Sequence, residues 1–151
     1  MKSKLNPFLA LIVFVTTAHG AALTWDTTAG DGATITPGSG TWLTGAGNWN
    51  NAGVDANWTA GDTAIFAGAD GTYTVTVGGA ITTGNSSTTG ITFSNSGYTL
   101  TGGLTARTIT LGNTASATNS PISVASGKTA TIGKNLTISK GDTGNLGTLD
   151  I

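Results

Sequence analysis

An all-β fold is what the sequence predicts, on three observations. The 151 residues include 31 threonines and 24 glycines, while Glu is absent and Lys, Arg and Met are few. The chain is therefore rich in strand and turn formers and poor in helix formers. Short runs alternate apolar residues with Thr or Ser and end in Gly, Asn or Ser, the pattern of a half-buried strand closed by a tight turn. Outside the first segment no window carries a 3.6-residue apolar period. With 9% charged residues and no cysteine, the chain matches neither a charge-driven disordered segment nor a disulfide framework. It is expected to fold on core packing and hydrogen-bonded ladders alone.

The first segment reads as a leader. Lys2 and Lys4 precede the apolar run Phe8 to Val15, and small residues follow at Ala18, Gly20, Ala21 and Ala22. This is the pattern of a secretory signal peptide, assigned to 1–22, with cleavage after Gly20 or after Ala22 fitting equally well. The apolar run falls well short of the ~20 residues that a membrane-spanning helix needs. The chain is thus expected to be exported, to the extracellular space or a cell surface.

From Leu23 onward the aromatic residues are Trp25, Trp42, Trp49, Trp58, Phe66, Tyr73, Phe93 and Tyr98, with none after Tyr98. Charge changes at the same place. Asp26, Asp31, Asp55, Asp62 and Asp70 are accompanied by no Lys or Arg, whereas Arg107, Lys128, Lys134 and Lys140 occur later with Asp142 and Asp150. Few basic residues, none clustered with aromatics, exclude a nucleic-acid partner. Two units follow: an aromatic-rich N-terminal region over 23–70 and a strand-rich region over 71–151.

Strands are predicted at 73–77, 91–93, 98–101, 108–111, 122–124, 129–132, 136–138 and 149–151. Tyr73-Thr74-Val75-Thr76 recurs as Tyr98-Thr99-Leu100-Thr101 at an offset of 25, and Ile109-Thr110-Leu111 recurs as Leu136-Thr137-Ile138 at an offset of 27, as Ile122 does in Leu149. Such offsets suit successive coils of a β-solenoid stacked in ladders. A two-sheet β-sandwich of similar size is the alternative.

The aromatic region reads, in order, Leu23-Thr24-Trp25-Asp26, Gly40-Thr41-Trp42, Gly47-Asn48-Trp49, Ala56-Asn57-Trp58 and Gly61-Asp62-Thr63-Ala64-Ile65-Phe66. Val75-Thr76-Val77, Ile91-Thr92-Phe93 and Gly97-Tyr98-Thr99-Leu100-Thr101-Gly102 follow. From Leu23 to about Gly103 this ordered set resembles the opening of the autotransporter-associated β-strand repeat proteins of bacteria. The resemblance implies a right-handed parallel β-helix of the passenger type, exported, with no cofactor and no assigned enzymatic activity. The glycine-rich repeat that names the family is missing, Gly141-Asp142-Thr143-Gly144-Asn145-Leu146 being at best a degenerate relative. No translocator segment follows, and the expectation is a truncated passenger.

Residues 23–151 contain no His, Cys or Glu, which removes most catalytic repertoires. A glycosidase would need an aspartate pair such as Asp62 with Asp70 or Asp26 with Asp31, but each lies in a turn-like context where Asp bonds its own backbone. Calcium at Asp55-Ala56-Asn57 or Asp70-Gly71 meets the same reading, and neither an EF-hand loop nor a nonapeptide calcium repeat is present. No enzyme, metal or cofactor is therefore expected. Trp42, Trp49 and Trp58 are the candidate glycan contacts, because sugars stack on exposed indoles and the segment is rich in Asn and Asp. The competing reading packs them with Trp25 and Phe66 over the open end of a solenoid, as a cap. Outward threonines suit either an adhesive or ice-matching surface or, more simply, a solvated sheet face. The expected function is that of a non-enzymatic surface stalk or adhesin-like segment. A carbohydrate-binding module is the alternative, with extracellular polysaccharide or a second copy of the chain, joined through an open edge, as partners.

Overall fold

In the computed structural model, residues 20–84, 90–112 and 122–141 are described, and they form thirteen short strands with no helix. In chain order these are β1 (Ala22–Trp25), β2 (Gly40–Trp42), β3 (Trp49–Asn51), β4 (Val54–Ala56), β5 (Thr63–Phe66), β6 (Tyr73–Val77), β7 (Ile81–Thr83), β8 (Ile91–Phe93), β9 (Tyr98–Thr101), β10 (Arg107–Leu111), β11 (Ile122–Val124), β12 (Ala130–Ile132) and β13 (Leu136–Lys140). The all-β expectation holds. Six predicted strands coincide with or lie within β6, β8, β9, β10, β11 and β13. The one at 129–132 starts one residue before β12, and the one at 149–151 lies outside the described residues.

The strands build three sheets, in the orders β11-β8-β5-β1-β3-β4, β12-β9-β6-β2 and β13-β10-β7. From β5 onward the chain visits them in rotation: β5, β6, β7, then β8, β9, β10, then β11, β12, β13. Each return is parallel to the strand before it in the same sheet. Antiparallel pairing, the rule in a sandwich, occurs among the described residues only where β3 joins β1 and β4 joins β3.

Alternation sets what each return buries, because period two sends neighbouring side chains to opposite faces. Ala64, Ile91 and Ile122 align, as do Phe66, Phe93 and Val124. Val75 aligns with Leu100 and Ile132, and Ile81 with Ile109 and Ile138. The first two members of each set are buried in one core, whereas Val124 and Ile132 are 41% and 43% exposed. On the other face Thr74, Thr99 and Thr131 form one hydroxyl row, and Thr82, Thr110 and Ser139 form another, with Thr110 Oγ1 and Ser139 Oγ 3.2 Å apart.

The offset of 25 between Tyr73 and Tyr98 is the observed register. The offset of 27 is corrected: Arg107, not Ile109, lies opposite Leu136, and Ile109 lies opposite Ile138. A shift of two leaves every side chain on its proper face, so threonine-alternating segments match almost as well two residues out of register. Leu149, the counterpart expected for Ile122, lies outside the described residues.

Candidate functional site

Three constellations stand out: the indoles, a cluster of aspartates and a charged corner. Trp25 and Trp42 end β1 and β2, Trp49 begins β3, and Trp58 follows β4. The hairpin β3–β4 folds the last two back onto the first. Ring centroids lie 4.8 Å apart for Trp42 and Trp58, 5.2 Å for Trp42 and Trp49, and 5.1 Å for Trp25 and Trp49, all edge to face. Trp49 and Trp58 sit 4.7 Å apart and tilted. Phe66 touches Trp25, Trp42 and Trp49 and passes the contact to Phe93, stacked at 5.1 Å. Edge-to-face geometry sets the electropositive rim of one ring against the electronegative face of the next.

All four indoles are fully buried. Trp25 Nε1 donates to the Gly38 carbonyl at 2.9 Å, while Nε1 of Trp42, Trp49 and Trp58 has no hydrogen-bond acceptor. As they stand, Trp42, Trp49 and Trp58 present no ring face on which a sugar could stack. Expected glycan contacts thus lie within the core, because a chain poor in large aliphatics fills its interior with its aromatics.

The aspartate cluster brings Asp55 to the Asp26–Asp31 pair. Asp26 follows β1, Asp31 lies in the loop beyond it, and Asp55 is carried by β4. One carboxylate oxygen from each lies within 4.8 Å of the others. Asp26 is 2% exposed, and its Oδ1 accepts from the backbone N–H groups of Thr28 and Thr36. Thr36 Oγ1 donates to Asp31 Oδ2, and the Gly30 N–H donates to Asp55 Oδ2. Asp26 Oδ2 and Asp31 Oδ1 are buried with no partner. Asn50 ties the same loop to the hairpin, donating through Nδ2 to the Gly32 carbonyl and accepting from the Gly53 N–H. From sequence, Asp26 with Asp31 is a candidate glycosidase pair and Asp55 a separate calcium candidate. The approach of Asp55 depends on antiparallel pairing that no local motif announces.

Asp62 and Asp70, the other pair considered, have separate partners. Asp62 is buried and accepts from the Ala21 N–H at 2.8 Å and from the backbone and hydroxyl of Thr59. Asp70 sits at the corner before β6, where it accepts from Lys128 Nζ at 2.9 and 3.1 Å and from the Ser96 N–H at 2.9 Å. Ser96 and Lys128 occupy the equivalent corners before β9 and β12. Asp70-Gly71 is thus engaged by a lysine.

The Lys128 hydrogen bonds, with those from Ser96 and Asn95, hold the Asp70 carboxyl down at about 2. A carboxyl lowered in the folded state adds stability that is fully present above its unfolded value of 3.8 and is lost as pH falls toward about 2. Urea midpoints of the parent chain and of Asp70→Asn should therefore differ at pH 5 and converge through that acid window, with a smaller gap in high salt, since the pair is half exposed. Tyr98 is affected oppositely: burial pushes its phenol far above the usual range, while its hydroxyl donates to the Ala67 carbonyl at 2.9 Å.

No family model matches the chain, and neither a curated protein nor a solved structure matches it.

Proposed function

We propose that the chain is an exported, non-enzymatic β-solenoid of the passenger type, with a structural role as a surface stalk or adhesin-like segment. On this reading it is of the autotransporter-associated β-strand repeat kind that its opening motifs resemble. The observation that carries the proposal is the rotation through three sheets with like residues aligned from one return to the next. Stacked units of this sort bury a continuous core by contact with their neighbours alone. The aromatic region is the cap: β3 and β4 cover the outer edge of β1, and the indoles fill the interior beside them, where a first coil would otherwise leave backbone unpaired and apolar surface bare. At the opposite end the partly exposed Val124 and Ile132 favour self-association.

The hydrogen bonds favour cleavage of the leader after Gly20. The Ala21 N–H donates to Asp62 Oδ1, the Ala21 carbonyl accepts from Thr63, and Ala22 opens the β1–β5 ladder opposite Thr63. Cleavage after Ala22 would discard all three, whereas cleavage after Gly20 sets a new α-ammonium against the Asp62 carboxylate.

The chain should be recovered after expression with its leader. It is expected to have a mass beginning at Ala21 and blue-shifted tryptophan emission that no cell-wall or algal polysaccharide alters. Retention inside the cell would overturn export. Red-shifted emission quenched saturably by one glycan would replace the structural role with that of a carbohydrate-binding module.

A further inference from the structure

We propose that Asp26, Asp31 and Asp55 form a calcium site that ties the loop after β1 to the β3–β4 hairpin. The proposal rests on the cluster and on a second, independent feature. Three carboxylates converge within 4.8 Å, and Asp26 Oδ2 and Asp31 Oδ1 are buried with no hydrogen-bond partner. A buried carboxylate oxygen needs a donor or a cation. The sequence offers no basic side chain nearby in the chain, since no Lys or Arg occurs between Lys4 and Arg107.

Three further oxygens of the cluster are already committed. Thr28 and Thr36 fix Asp26 Oδ1, the Thr36 hydroxyl fixes Asp31 Oδ2, and the Gly30 N–H fixes Asp55 Oδ2. Hydrogen bonds of this kind orient carboxylates toward a metal and hold them there when it leaves. The donor set is oxygen only, with no His, Cys or Met in residues 23–151, which suits a hard cation. An irregular loop facing a short strand suits calcium better than magnesium, because calcium tolerates six to eight oxygens in flexible geometry, with loop carbonyls and water completing the shell. Asp55 is exposed, so the ion has a way in.

The test uses the full recovered chain, stripped with EDTA and then titrated with calcium chloride or magnesium chloride by calorimetry, with thermal midpoints recorded in parallel. Saturable binding of one calcium at millimolar affinity or tighter, preferred over magnesium and raising the midpoint with concentration, is the expected result. Asp31→Asn and Asp55→Asn should each weaken calcium binding at least about tenfold. Both are expected to fold in EDTA with midpoints no lower than the parent's, because fewer like charges then share the cluster. Absence of heat and of any midpoint change up to about 10 mM calcium would overturn the proposal. So would equal affinity for magnesium, or calcium affinity unchanged in both variants.

Discussion

Replacing Trp49 with alanine should lower the unfolding free energy by about 4 kcal/mol, near the upper end for loss of a buried indole. Trp49 meets Trp25, Trp42, Trp58 and Phe66, more rings than any other tryptophan touches, so its removal leaves each neighbour without one wall. Those neighbours come from β1, β2, the turn after β4, and β5, and the gap cannot close by moving one of them alone. Trp49→Phe should lose much less, about 1–2 kcal/mol, because most of the ring contact survives and a buried N–H without an acceptor disappears. Urea unfolding at constant slope separates the outcomes. Equal midpoints for parent and Trp49→Ala would mean that the indoles are not packed as described.

Gly97→Ala is the second severe change, with an expected loss of about 4 kcal/mol or failure to fold. Gly97 has φ +98°, and a Cβ there would lie 1.6 Å from the Gly71 carbonyl oxygen, a backbone atom that cannot swing aside. The two glycines stack at successive corners. The Gly71 N–H donates to the Ser96 carbonyl, the Tyr73 N–H to the Gly97 carbonyl, and the Gly97 N–H to the Thr129 carbonyl. A side chain at this point forces adjacent returns apart and breaks bonds in both directions, over and above the conformational strain. Gly45→Ala isolates the strain alone: φ is +81° and nothing lies within 4 Å of the added Cβ. Its loss should be only about 1 kcal/mol. Similar losses for the two variants in a denaturant titration would show that close approach at the corner is not what demands glycine.

The later strands were legible because they alternate apolar residues with Thr or Ser over three to five residues and stop at a turn residue. β1, β2, β3, β4, β5 and β7 were not singled out. β2 is Gly-Thr-Trp and β4 is Val-Asp-Ala, too short and too mixed to show a period, and both owe their extended form to ladders made with distant partners. In the indoles the composition was readable and the side on which they lie was not, since a tryptophan beside Asn and Asp suits a binding face and a core equally. The aspartate cluster was hidden for a different reason. Asp26 and Asp31 are near in sequence, but Asp55 reaches them only once β3 has paired with β1 and β4 with β3.

The rotation through three sheets has a bearing on how long such a chain can be. Each return from β5 onward closes a loop of roughly 25 to 32 residues before its ladder forms. Loop-closure entropy rises only with the logarithm of loop length. Every further return therefore carries nearly the same entropic penalty as the last and gains a comparable ladder and comparable buried surface. Growth of this kind has no preferred size, unlike a barrel, whose strand number is set by closure. The topology makes length a freely variable trait, one that insertion or deletion of whole returns could change without redesigning the end where the tryptophans sit.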